Sequence, residues 1–293
     1  MYRILITFAG IIFVLAPAMS IAGECGDVNN SGAINLLDVT YLISYLYKSG
    51  PEPNCGIGFE GICGDVNISG GVNILDVTYL INYLYKGGAT PICDQDDIVI
   101  DIDGNVYQTV TIGTQVWMAE NLKVTHYRNG DVIPNVPDDE DWSGLVSGAQ
   151  CSYDNNEELV TVYGRLYNWY AINDSRNIAP EGWHMPSDTE WQALIDYLGG
   201  DDIAGGKIKT AGTDYWSYPN TGATNESGFS ALPGGYREIL GAFSALGLYA
   251  AFWSGTEASG NYSWYRALSF ATAHIGRGSK NKKEGISVRC IKD

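Results

Sequence analysis

The sequence predicts two unlike domains, a small all-α pair of loop-helix units followed by a larger α+β domain. Three observations predict this. Residues 25–55 and 63–93 are a duplication in which 22 of 31 aligned positions are identical at a shift of 38. Each copy sets Asp, Asn or Ser at loop positions 1, 3, 5, 9 and 12 around a Gly at position 6, the spacing with which a chain wraps Ca²⁺ before entering a helix. Beyond Cys93 the pattern turns to short strands, glycine-rich turns and one strongly capped helix.

The chain opens with features of an export signal over residues 1–22. Arg3 supplies a positive start, Ile4 to Ala16 form an apolar run of 13 residues, and Ser20-Ile21-Ala22 offers small residues for cleavage before Gly23. A membrane span needs about 20 apolar residues, so no insertion is expected once the signal is cleaved. The expected location is secreted, extracellular or at the cell surface. Six cysteines in an exported chain favour disulfides. Among Cys25, Cys55, Cys63 and Cys93 three pairings are open, with pairing inside each copy preferred. Cys151 and Cys290 are left to each other, closing a loop for which chain entropy gives on the order of 4–5 kcal/mol. A net charge of −17 excludes nucleic acid and anionic membrane as partners.

The predicted ligands of the first loop are Asp27, Asn29, Ser31, the Ala33 carbonyl, Asn35 and Asp38. Those of the second are Asp65, Asn67, Ser69, the Gly71 carbonyl, Asn73 and Asp76. Two ions are expected. With two charged ligands per loop, affinity should fall in the range of extracellular modules, and binding should be coupled to folding. Helices follow over Leu36 to Lys48 and Ile74 to Lys86. Val39, Leu42, Ile43 and Leu46, and their counterparts Val77, Leu80, Ile81 and Leu84, form one apolar face on each. Gly50 and Gly87-Gly88 stop them, and the two faces should pack about a pseudo-twofold axis.

This region resembles the dockerin type I module. The resemblance implies docking to a cohesin-like or other scaffold protein, as in surface assemblies for polysaccharide breakdown. Where dockerins often carry a Ser-Thr contact pair, this chain has Leu36-Leu37 and Ile74-Leu75, for which partner contact and burial between the repeats are both open.

The expected division is therefore a signal at 1–22, the repeat pair at 23–93, an acidic linker at 94–97 and the large domain at 98–293. In that domain, residues 101–117 read as two or three strands with turns at Asp103-Gly104 and Gly113-Thr114. Ser187 with Glu190 forms a capping box ahead of Trp191, Leu194, Ile195 and Leu198. The stretches Trp117-Met-Ala-Glu-Asn-Leu122, Tyr163-Gly-Arg-Leu-Tyr-Asn-Trp-Tyr170, Ala179-Pro-Glu-Gly-Trp-His-Met-Pro186, Gly228-Phe-Ser-Ala-Leu-Pro-Gly-Gly235, Phe252-Trp-Ser254 and Ser287-Val-Arg-Cys-Ile-Lys-Asp293 resemble the Fibrobacter succinogenes major paralogous domain. More distantly, Pro186-Ser-Asp-Thr-Glu-Trp191 and the closing Ser-Val-Arg are similar to formylglycine-generating enzymes. That resemblance implies a C-type lectin-like fold but no settled activity.

No catalytic constellation is found. His126, His184 and His274 share no metal-ligand spacing, His184 reads as a hydrogen-bonded core residue, and the acids from Asp138 to Asp141 read as a solvated patch. Sugar rings stack on Trp and Tyr faces. Trp142, Tyr215, Trp216, Tyr218, Tyr262, Trp264 and Tyr265 stand in Gly/Asn/Ser-rich stretches and are the candidate ligand-binding residues, while Trp117, Trp169, Trp183, Trp191 and Trp253 are expected in the core. The expected function is a secreted, non-enzymatic calcium-binding protein whose first module tethers a domain for protein or carbohydrate binding. The alternatives are a glycoside-hydrolysing component of a polysaccharide-degrading complex and a structural surface-assembly protein.

Overall fold

The computed structural model describes residues 25–56, 62–67, 71–88, 90–93 and 98–293. The expected signal and linker, with Ser69 and Gly70 of the second loop, lie outside the described residues. The chain divides into two compact units, residues 1–95 and 96–293. Among the described residues no helix is long and apolar enough to cross a membrane.

In the first unit the duplication produces α1 (Leu36–Lys48) and α2 (Ile74–Lys86). Each starts at an Asn whose side chain caps the helix, with the Asp three residues later returning the bond, and stops at a residue in the left-handed conformation, Ser49 or Gly87. Val39 and Leu42 of α1 and Val77 and Leu80 of α2 are buried with Val28 and Val66 in one core. Behind each helix the chain runs extended, because Pro51, Pro53 and Pro91 cannot donate to a helical ladder. It returns along its own loop, with Asn54 donating to the Val28 carbonyl and Ile92 to the Val66 carbonyl, both at 2.9 Å.

The cysteines nevertheless cross between copies. Cys25 is bonded to Cys93 and Cys55 to Cys63, with Cα separations of 5.6 and 5.7 Å. The expected pairing inside each copy is thus corrected. The start of each copy lies beside the end of the other, so the 38-residue shift converts one bridge into its equivalent.

In the second unit, β1 (Ile98–Ile100), β2 (Val106–Ile112), β3 (Gln115–Met118), β12 (Ile291–Lys292) and β6 (Trp183–His184) form one five-stranded sheet in that order. A second sheet has the order β11 (Ile275–Asn281), β10 (Tyr262–Ser269), β9 (Tyr249–Ser259), β7 (Gly234–Arg237) and β8 (Phe243–Leu246), and β4 (Gln150–Cys151) pairs with β5 (Leu166–Tyr167). The helices are short: α3 (Asp139–Gly144), α4 (Val160–Tyr163), α5 (Trp169–Ile172), α6 (Asp188–Tyr197) and α7 (Asp201–Ile208). The Ser187 capping box forms as expected.

The segment from Ile286 to Cys290 ties these parts together. Ile286 exchanges backbone bonds with Tyr167, and the Ser287, Val288 and Cys290 carbonyls accept from Trp253, Leu122 and Met118. The five tryptophans expected in the core are all buried.

The expected fold class, a small all-α calcium-binding loop-helix pair plus an α+β, C-type lectin-like domain, is corrected by this topology. The second unit is mostly β, α+β-like only in carrying short helices around two five-stranded sheets. Among the described residues of the first unit no self-contained all-α calcium-binding pair stands out. Its two 13-residue helices are held by extended tails, a parallel bridge between Asn67 and Ile92, and two disulfides.

Candidate functional site

The first loop brings its acids together. Asp27 accepts from the Ser31 backbone N–H at 2.8 Å and from that of Gly32 at 2.6 Å, while Asp38 accepts from Asn35 at 2.8 Å and from Asn29 at 3.3 Å. Gly32 has φ +89°, a conformation glycine adopts without strain, which lets the loop fold back on Asp27. Both carboxylates are buried. Burial pushes the Asp38 carboxyl above its ordinary range, and the charge of Asp27 adds to the rise.

The Asn29 side-chain oxygen is buried and accepts no hydrogen bond. A buried acceptor without a donor is costly, and a cation beside two carboxylates would satisfy it. The residues present therefore fit Ca²⁺. Asn35 is spent otherwise, since its oxygen caps α1 through the Leu37 N–H and its amide donates to the Ala33 carbonyl, both at 2.8 Å. The described part of the second loop repeats the arrangement around the last acid. Asp76 accepts from Val66 at 2.9 Å and Asn73 at 2.8 Å, Asn73 donates to the Gly71 carbonyl at 2.7 Å, and burial again raises the acid, helped by Asp65. Among the described residues no cluster of three or more His, Cys, Asp or Glu side chains gathers to hold a metal. Each loop relies on two acids with neutral oxygens.

The seven aromatic candidates do not converge. Trp142 and Trp216 are buried, which corrects their expected exposure. The Arg237 guanidinium lies 4.4 Å from the Trp142 ring centroid, and Trp216 donates its ring N–H to the Ala231 carbonyl at 3.0 Å. Tyr215, Tyr218 and Tyr262 are exposed. One face of Trp264 is covered by Arg277 at 3.5 Å.

Tyr265 joins a cavity. It meets Tyr236, Ala245, Tyr249 and Lys280 around a volume of about 180 Å³. Tyr236 and Tyr249 escaped sequence reasoning although Gly234-Gly235 and Gly247 stand just before them. Their positions on neighbouring strands β7 and β9 bring them together.

The histidines and acids serve local roles. His126 binds Asp103 at 2.5 Å, and His274 faces Asp202 at 3.5 Å. His184 is half-buried at the surface rather than in the core, between Glu190 at 2.9 Å and Asp293 at 2.7 Å, because β6 presents it beside the start of α6. Asp138 caps α3 and Asp139 pairs with the buried Arg237 at 2.9 Å. Cys151 and Cys290 are free and buried, correcting the expected bridge. They pack into different core clusters, and burial raises the Cys151 thiol to about 11.

The sequence motifs of the second unit meet at Arg289. Its guanidinium donates to Asn121 Oδ1 at 2.7 Å and to the carbonyls of Met118, Phe229 and Ser230. Three of the quoted stretches are thereby held by one buried cation, whose burial lowers it to about 9. Trp169, Trp191 and Trp253 likewise donate their ring N–H groups to the Ser254, Trp253 and Tyr167 carbonyls. These side chains are internal braces, whereas Ala179, Pro180 and Glu181 of another quoted stretch line a cavity of about 230 Å³ with Asp101 and Arg128.

No curated protein and no solved structure shows significant similarity to the chain. A family model for the Fibrobacter succinogenes major domain matches residues 110–292, well over half the chain and nearly all of the second unit. On the strength of that match and of the braces that join its motifs, the chain belongs to the Fibrobacter succinogenes major domain family.

Proposed function

We infer that this is a secreted, non-enzymatic calcium-binding protein. Its N-terminal unit docks on a cohesin-like or other scaffold protein, and its family domain offers a surface to a protein or carbohydrate ligand. The observation that carries the calcium part is the first loop, where two buried carboxylates and an unsatisfied Asn29 oxygen share one turn of chain. Asp27, Asn29, Ser31, the Ala33 carbonyl and Asp38 would hold the ion, with Asn35 reached through water. The ion would supply positive charge that offsets the two acids and fixes the loop ahead of α1.

The docking part is supported by Leu36, Leu37, Ile74 and Leu75, all exposed in equivalent places at the two helix starts. Apolar side chains repeated in water at the position where the dockerin resemblance puts its contacts favour contact over burial. Metal analysis of full-length protein equilibrated with millimolar Ca²⁺ tests the reading. Two ions per chain are expected, and Asp27→Ala with Asp65→Ala should abolish both. Absence of stoichiometric calcium in the unaltered protein would overturn it.

A further inference from the structure

We propose that the cavity on the second sheet is a subsite for a single saccharide ring, a proposal that rests on the carbohydrate arm of the function above. Its walls come from all five strands: Tyr236 on β7, Ala245 on β8, Tyr249 on β9, Tyr265 on β10 and Lys280 on β11. Tyr236 and Tyr249 stand edge to face with ring centroids 6.0 Å apart. Lys280 sits 4.0 Å from the Tyr236 centroid and 5.4 Å from that of Tyr265, and it is paired with Glu284.

Two backbone features border the space. Ala245 holds φ +66°, a left-handed conformation that residues with side chains rarely adopt, and strain of this kind gathers at ligand sites. At Gly278 a Cβ would lie 2.8 Å from the Tyr265 ring, so only glycine lets that ring lie flat across β11.

The chemistry selects among ligands. Aromatic walls with phenolic hydroxyls, rimmed by an ion pair, match a molecule with an apolar face and a hydroxylated edge, which describes a sugar ring. The Lys280 charge is neutralised by Glu284, so the site offers no net cation to a phosphate. A purely apolar ligand would strip water from the ion pair without replacing its hydrogen bonds. About 180 Å³ falls below the ~300 Å³ at which drug-sized pockets begin, so one ring or a chain end fits and an oligosaccharide does not.

Isothermal titration of the full chain decides this, with methyl glycosides of glucose, galactose, mannose, xylose and N-acetylglucosamine, and with cellobiose and xylobiose. A monosaccharide glycoside should bind within tenfold of the matching disaccharide. Tyr236→Ala and Tyr265→Ala should each weaken binding at least fivefold, and Tyr197→Ala, exposed on α6 outside the cavity, should leave it unchanged. Binding that survives both cavity variants overturns the subsite but keeps the carbohydrate reading. No binding of any of these sugars overturns both, while the calcium arm still answers to metal analysis. Should the alanine variants fail to fold, the double change Tyr249→Phe with Tyr265→Phe keeps the rings, and unchanged affinity there counts against the site.

Discussion

The two units solve the same problem, burying enough surface to stay folded, by different means. The first has a thin core of valines and leucines and closes it with Cys25–Cys93 and Cys55–Cys63. The second buries seven tryptophans almost completely and threads cations through its interior, where Arg289, Arg237 and Lys209 donate to backbone carbonyls. The difference teaches that a unit of this size cannot bury much of its surface and leans on covalent staples. A larger one can hold its loops with hydrogen bonds from buried charge.

The largest effect that would break this comparison is at Arg289. Arg289→Met leaves the Met118, Phe229 and Ser230 carbonyls without their donor, and the second unit should lose on the order of 4 kcal/mol. Denaturant unfolding followed by tryptophan fluorescence measures it, and a loss under 1 kcal/mol would mean the braces are ornamental. The first unit should not respond.

Next comes Cys25→Ser with Cys93→Ser, which frees the two ends of the duplication. A loss of about 2–5 kcal/mol is expected in the first unit alone, read from amide hydrogen exchange of α1 and α2 in the full chain. Calcium should act more weakly, at about 1.4 kcal/mol per loop for a tenfold excess over Kd. Chelation should therefore speed exchange in α1 and α2, and Asp27→Ala with Asp65→Ala should remove the difference.

The smallest effect sits at His184. Burial pushes its pKa down, but hydrogen bonds to Asp293 and Glu190 outweigh this and raise it above the ordinary value of about 6.5. A raised imidazole contributes stability that is fully present below about pH 6.5 and is lost as pH climbs through the folded value. Glu190 is held low, against burial, by its bonds to Ser187 and His184, so its share is lost only as acid protonates it. The melting temperature of His184→Gln should differ most from the unaltered protein near pH 5.5 and converge with it by pH 8.5. A constant gap would show that packing, not charge, holds the ring.

Much of this was legible in sequence where the signal is local. Both helices of the duplication, the Ser187 capping box and the turns at Asp103-Gly104 and Gly113-Thr114 follow from residues within a few positions of one another, whereas Asn35 and Asn73, read as ion ligands, prove to be the helix caps. Period-2 alternation could not say that Trp142 and Trp216 lie inside, because their burial comes from Arg237 and from the Ala231 carbonyl, both distant in sequence or hidden in loops. The Tyr236, Tyr249 and Tyr265 cavity was invisible for the same reason, since it exists only once β7, β9 and β10 lie side by side.

By itself, then, the sequence determined the repeat, its helices, the oxygen-bearing loops and the family of the second unit, since each is written in short-range spacing or in motif identity. Tertiary structure alone decided that the cysteines cross between copies, that Cys151 and Cys290 stay apart, and that the larger unit is predominantly β. The physical reason is range. Caps and turns are settled by neighbours along the chain, whereas disulfide partners and buried aromatics are chosen by which distant segments pack together.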